Sequence, residues 1–313
     1  MKTILITGAA GFIGSHLSDK FLDEGFKVIG IDNYLTGSPD NINHLRDDPN
    51  FKFYNHNIIS PINLGEKIDL ILHFACPASP VDYMKFPIET LKVDSIGTLN
   101  TLEIARHNNA RYVFASTSEI YGDPHVHPQT EEYWGNVNPI GPRSVYDEAK
   151  RFSESLCMAY YRKYGVDVRI VRIFNTYGPR MKADDGRVVP NFINQALKGD
   201  DITVYGDGSQ TRSFCYVNDL VEGIFRTSLK DNINGEVLNL GNPDEYSIID
   251  FAEIIFDLIK SKSEIIFQDL PVDDPKKRRP DISKAKETIK WKPETKLEDG
   301  LKKTIKYFNQ EIQ

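Results

Sequence analysis

The chain has 313 residues, 40% hydrophobic and 27% charged, which suits one large or two modest globular units and excludes a mainly disordered chain. Its 38 basic against 45 acidic residues leave a net charge of −7, the wrong sign for a general nucleic-acid binder. No apolar run approaches the roughly 18 residues that cross a bilayer, and Cys76, Cys157 and Cys215 form no CxxC pair, so a reducing, cytoplasmic setting is expected.

Residues 2–7 are a short apolar run, predicted as a strand buried on both faces rather than a signal peptide. Helical periodicity over 12–24 stops at Gly25, a residue suited to a helix end. Strands are predicted at 27–31, 51–55, 70–74, 112–116 and 166–173, with long helices at 88–107 and 144–164. This alternation predicts an α/β fold with a doubly wound parallel sheet. Beyond residue 176 short strands (202–205, 237–240, 264–267) sit among helices (188–197, 217–228, 248–259, 297–308). They predict a smaller mixed α/β part over the sheet's C-terminal edge, where ligands bind in such folds. The expected division is 1–175 for a dinucleotide-binding Rossmann domain and 176–313 mostly for a substrate domain, with some segments returning to the sheet.

Gly8, Gly11 and Gly14 lie between the first strand and the first helix. Gly8 allows a tight turn, Gly11 a close approach of backbone to pyrophosphate, and Gly14 close packing of helix on strand. Asp32 ends the second strand, 18 residues after Gly14, where a carboxylate accepts from ribose hydroxyls and repels a 2′-phosphate, so NAD is expected over NADP. The cofactor lining is expected to take in Phe12, Ile13, Asn33, Tyr34, Thr36, Gly37, Asn57, Ile58 and Ala75. A plain turn cap is the other reading of Asp32.

Tyr146 and Lys150 stand four apart on a predicted helix and share a face. A neighbouring ammonium lowers a phenol's pKa from its ordinary value near 10. A tyrosine so tuned can take an alcohol's proton while hydride leaves the same carbon. Thr117, Ser118 and Glu119 end the preceding strand at the same edge; the plainer readings are a strand-ending turn and a salt bridge. His125 and His127 are too few ligands for a metal, and none is expected.

The glycine turn, residues 116–122 and the Tyr146–Lys150 pair together resemble the extended short-chain dehydrogenase/reductase superfamily of nucleotide-sugar enzymes. Within it, the chain is similar to the UDP-glucuronate decarboxylase (UDP-xylose synthase) family. The matching stretches include Cys-Pro-Ala-Ser-Pro at 76–80, Ser-Thr-Ser-Glu at 116–119 and Tyr-Trp-Gly at 133–135. Further matches are the segments 172–180, 185–189, 205–212 and 273–281. Related 4,6-dehydratases typically carry Asp-Glu at the place of Ser118-Glu119, and 4-epimerases lack the acid. The resemblance implies removal of hydride from C4 of the glucuronosyl ring by NAD+, with Tyr146 as base and Lys150 holding the ribose. Loss of CO2 from the 4-keto acid and return of hydride would then give UDP-xylose. Glu119, Ser118 and Arg278 would position the ring and manage the proton at C5.

A UDP-sugar carries two phosphates, for which Arg212 and Arg278 are the candidates. Asn175 is expected on the sugar or first phosphate, Tyr205 on the base and Gln210 on the ribose. Pro77, Ala78, Ser79 and Tyr83 are expected at the glucuronate end, with Val189 also in the lining. Tyr205 also reads as hairpin packing, the run 276–279 as a solvated basic loop, and Arg180 as a brace held by an ion pair. Competing functions are a 4-epimerase or 4,6-dehydratase, and a catalytically silent NAD-binding protein. The resemblance also implies a homodimer through a four-helix bundle. Two positions depart from the family pattern: Asn57 stands where Asp is usual, and Asp94 where Asn is usual.

Overall fold

A computed structural model describes residues 1–269 and 277–312. The first half runs β1 (Thr3–Thr7), α1 (Phe12–Asp23), β2 (Lys27–Asp32), β3 (Phe51–Asn55), β4 (Leu70–His73), α2 (Pro80–Lys85), α3 (Pro87–Lys92), a π-helical turn (Val93–Gly97), α4 (Thr98–Asn108), β5 (Arg111–Thr117), α5 (Ser144–Tyr164) and β6 (Val168–Ile173). The second half runs β7 (Thr176–Tyr177), α6 (Val188–Lys198), β8 (Ile202–Tyr205), β9 (Thr211–Ser213), β10 (Cys215–Tyr216), α7 (Val217–Leu229), β11 (Val237–Leu240), β12 (Glu245–Ser247), α8 (Ile248–Ile259), β13 (Ile265–Gln268), β14 (Lys277–Arg278), α9 (Ser283–Ile289) and α10 (Leu297–Ile312).

Seven parallel strands form the central sheet in the order β11-β6-β5-β4-β1-β2-β3. Every residue of β1 and β4 is buried, as expected where helices cover both faces. Alternation along β1 sends Ile4 and Ile6 into one core with Leu17, Phe21 and Leu220, and Leu5 into another with Leu102, Tyr112 and Cys157. The chain leaves β1 towards β2 on one side and reaches β4 on the other. That reversal opens a crevice at the strands' C-terminal ends, between the turn after β1 and the loop after β4. The small sheet β12-β9-β14 and the pair β13-β8 stand apart from the central sheet.

The long helix predicted at 88–107 is interrupted. α3 and α4 are joined by the π-turn Val93–Gly97, where one extra residue per turn re-aims the side chains. Gly97 lets Ile58 pack closely against the turn: a Cβ there would sit 2.8 Å from Ile58 Cδ1, which would have to shift. The turn buries Asp94 completely. Periodicity alone does not register such an insertion, because apolar spacing continues on both sides. The pattern also missed α2, β14 and α9, which are short.

Candidate active site

Two adjoining cavities occupy the crevice, of about 460 and about 180 Å³. Gly8, Gly11, Thr36, Phe74 and Cys76 line both. Asp32, Asn33, Gly37, Asn57, Ile58, Ala75 and Pro77 line the smaller one. The larger holds Phe12, Ile13, Gly14, Ala78, Ser79, Tyr83, Thr117, Ser118, Glu119, Tyr146 and Lys150, and across from them Asn175, Arg180, Val189, Tyr205, Gln210, Arg212 and Arg278. Tyr34 lies apart from both linings: its ring packs on Phe53 at 5.3 Å, and its N–H donates to Asp32.

The glycine turn fits a dinucleotide. A Cβ on Gly14 would lie 2.0 Å from the Gly8 carbonyl oxygen, and one on Gly8, at φ +75°, would lie 2.8 Å from Phe74 and Ala75 backbone atoms. Gly11 caps α1 without any side-chain hydrogen bond, and the first turn of α1 holds no acid, so its N–H groups face the crevice as an anion site. Asp32 accepts from the Ala10 N–H (3.0 Å) and the Tyr34 N–H (2.8 Å). Burial raises its pKa, and these backbone bonds draw it back. Gly14→Ala is expected to lower the melting temperature and abolish NAD binding together, because a turn atom must move by more than an ångström; an unchanged calorimetric NAD affinity would refute it.

Tyr146 and Lys150 project from α5 under the end of β5, 5% and 3% exposed. Lys150 Nζ donates to Asp94 Oδ1 (3.0 Å) and to the Ala115 carbonyl (3.1 Å). The Tyr146 ring stacks on Tyr83 at 5.0 Å. The expected lowering of the Tyr146 pKa is corrected here. Burial pushes the phenol up, and Lys150 and the Thr117 hydroxyl only partly pull it back, while Cys76 and Asp94 add to the rise.

Thr117 Oγ1 accepts from the Glu119 N–H (3.2 Å) and so starts the 3₁₀ turn Ser118–Tyr121 that carries Glu119. Glu119 pairs with Arg143 (2.5 Å) and with Arg278, so the salt-bridge reading of this acid holds within the cavity lining itself. Burial alone would raise its pKa, but Arg278 and Arg143 outweigh that and hold it at about 2. Arg278 is 3% exposed, which excludes the solvated-loop reading for this residue; 273–276 of that motif lie outside the described residues. The parallel pairing of β14 with β9 sets Arg278 beside Arg212. Arg180, expected among the substrate-binding residues or as a brace, lies in the lining and makes a 2.7 Å ion pair with Asp19. Tyr205 ends β8 40% exposed, and its carbonyl accepts from Gln210 Nε2 (2.7 Å). His127 pairs with Glu245 (3.2 Å), away from the cavities' linings.

Sequence reasoning missed Arg143, although its place three residues before Tyr146 on the same helical face was a usable signal. It also missed Asp147, which is 6% exposed with Oδ1 unpartnered among the described residues. Burial and the nearby Glu119 charge push its pKa up to about 7. The folded state therefore keeps this proton to higher pH than the unfolded chain, and its ionisation costs stability progressively from about pH 4 to 7. Asp147→Asn is expected to raise the melting temperature more at pH 8 than at pH 5; equal shifts at both would refute it.

Fold and site together define an extended short-chain dehydrogenase/reductase built for nucleotide-sugar chemistry. A family model described as GDP-mannose 4,6 dehydratase matches residues 5–304. UDP-glucuronic acid decarboxylase 1 of Danio rerio is 53% identical over 100% of this chain and 74% of its own length. UDP-glucuronic acid decarboxylase 1 of Arabidopsis thaliana is 52% identical over 99% of this chain and 70% of its own. Among solved structures, UDP-glucuronic acid 4-epimerase from Bacillus cereus, in complex with UDP-glucuronic acid and NAD, superposes with a TM-score of 0.89 at 30% identity, covering 98% of this chain and 99% of that one. The chain belongs to the GDP-mannose 4,6 dehydratase family and, within it, to the UDP-glucuronic acid decarboxylases.

Proposed function

We propose that this protein converts UDP-glucuronate to UDP-xylose and CO2 with tightly held NAD, residues 1–175 binding the cofactor and 176–313 mostly holding the UDP-sugar. The observation that carries this reading is the partly buried Glu119–Arg143–Arg278 cluster beside Tyr146 and Lys150, in a cavity continuous with the glycine cradle. Gly8, Gly11, Gly14 and the α1 N-terminus would hold the pyrophosphate, Asp32 a ribose. NAD, when bound, supplies the acceptor and donor of the C4 hydride.

Tyr146, as the phenolate that the Lys150 ammonium favours, takes the proton of the C4 hydroxyl. The 4-keto sugar is a β-keto acid, so the electrons of the C5–carboxylate bond flow towards the new carbonyl and CO2 leaves. Tyr146–H, re-formed in the first step, stabilises the negative charge arriving on O4. Arg278 and Arg143 are already paired with Glu119. They orient the substrate carboxylate without the full pull of free cations, which would hold the ground state back more than the transition state. Ser118 and Glu119 position the ring while C5 takes a proton from water and Tyr146–H keeps its own for O4.

Arg212 and Arg278 take the diphosphate, with Asn175, Gln210, Tyr205 and Val189 along the nucleotide and Pro77, Ala78, Ser79 and Tyr83 at the glucuronate end. We also assign a homodimer. Its support is an apolar face on α2 to α5, where Met84, Ile88, Leu91, Leu99 and Phe152 are 39–56% exposed; light scattering of a Phe152→Asp, Ile88→Asp variant should read monomer. Three free thiols support a reducing, cytoplasmic setting. Among the described residues no helix is long and apolar enough to cross a membrane.

Incubation of the purified protein with UDP-glucuronate, followed by NMR and CO2 detection, tests the reaction. CO2 with UDP-xylose is the expected result. Conversion of UDP-glucose or UDP-galactose without CO2 would place the chain with the epimerases instead, and NAD binding without any turnover would make it a silent binder.

A further inference from the structure

Asp94 is the family departure with a structural consequence. Its carboxylate is wholly buried and receives Lys150 Nζ on one oxygen (3.0 Å) and Cys76 Sγ–H on the other (3.0 Å). The π-turn delivers it, and Ser153 of α5 fixes the turn by donating to the Asp94 carbonyl. An asparagine here could offer Lys150 an oxygen but no charge.

We propose that Asp94 is a positioning residue that locks Lys150 in a neutral ion pair, and so keeps the Tyr146 hydroxyl protonated to higher pH than an amide at this place would. The pair replaces a lone buried ammonium facing the phenol with a dipole, and a dipole's field falls off faster than a charge's. The other groups around Tyr146 and Lys150 do not restore the missing positive charge. His73 of β4, behind Lys150, is held neutral by burial, its pKa drawn down to about 3. Burial pushes the Cys76 thiol, the Cys157 thiol and the Tyr83 phenol up, leaving all three uncharged at neutral pH. Arg187, which faces Tyr146 from before α6, is itself paired with Asp185. Asp94 is therefore the group that sets how much of the Lys150 charge Tyr146 feels. The consequence for this chain is an alkaline-shifted acid limb in its pH–rate profile.

The test compares the NAD-saturated wild type with Asp94→Asn. Tyrosinate formation is followed by ultraviolet difference spectroscopy, and the Tyr146 contribution among the 15 tyrosines is isolated by subtracting the matched Tyr146→Phe proteins. The Tyr146 midpoint should fall by about one pH unit in Asp94→Asn, a shift typical of an altered neighbouring charge. The acid limb of kcat with UDP-glucuronate should move by the same amount. Coincident midpoints, or a midpoint that rises, would overturn the proposal, since a merely structural role for Asp94 would change melting temperature and leave the titration in place. Should the amide variant not fold, the uncharged Asp94→Ser tests the same shift. The kcat limb rests on the proposed decarboxylation and the spectroscopic titration does not: absence of CO2 at every pH counts against that reaction and leaves the midpoints to decide on Asp94.

Discussion

Tyr146→Phe is expected to lower kcat for UDP-glucuronate by about 10³-fold, within the range a positioned proton-transfer group contributes, while NAD remains bound. The phenol is the oxygen in the larger cavity that can take the C4 proton: it is 5% exposed, stacked on Tyr83 and next to Lys150. Phenylalanine keeps the stack and the volume and removes only the hydroxyl. Burial raises the Tyr146 pKa, and the ionised form, favoured by Lys150, is the one that takes the C4 proton. The loss should therefore fall on kcat with little change in KM, and single-turnover reduction of bound NAD, read by its near-ultraviolet absorbance, should vanish in step. Retained reduction at the wild-type rate would move the base to another group. A loss of NAD affinity in place of kcat would mean that the hydroxyl serves binding.

The central sheet was legible because its strands are buried on both faces and read as unbroken apolar runs. The cofactor turn was legible because three glycines follow a strand and open a helix. What stayed hidden has specific causes. The π-turn at Val93–Gly97 leaves no mark in apolar periodicity, so the meeting of Asp94 with Lys150 could not be read, although Asp94 itself stood out as a departure. β14 has two residues, and Arg278 reaches Glu119 across 159 positions of sequence. No local pattern reports such a pairing; the resemblance to a family placed Arg278 in the site, and the geometry then gave its partner. The phenol's raised pKa was missed for a different reason. The sequence displays the neighbouring ammonium, but it does not display burial, and burial is the larger effect.

Glu119→Gln is expected to separate binding from chemistry. Glu119 pairs with both Arg143 and Arg278, and its side chain is 15% exposed. Removing its charge takes from Arg143 and Arg278 the carboxylate they share, and breaking such a pair costs about 3–5 kcal/mol when buried, so the free variant should melt below the wild type. The carboxylate of UDP-glucuronate can take the vacant place, and ligand should therefore restore much of the lost melting temperature. The same attraction works against turnover. The substrate carboxylate must surrender its charge on the way to CO2, and guanidiniums relieved of Glu119 bind it most tightly before that happens. Glu119→Gln should thus bind UDP-glucuronate as tightly as the wild type or tighter, with kcat lower by about 10²- to 10³-fold. Arg278→Ala should do the reverse, weakening UDP-glucuronate binding by at least tenfold through loss of a charge-assisted contact. The pH dependence has a definite sign. With its folded pKa held at about 2 against an ordinary 4.5, Glu119 stabilises the fold fully above pH 4.5 and loses that contribution as pH falls towards 2. A Glu119→Gln variant with wild-type kcat, or one whose melting deficit persists unchanged at pH 2.5, would remove Glu119 from both roles.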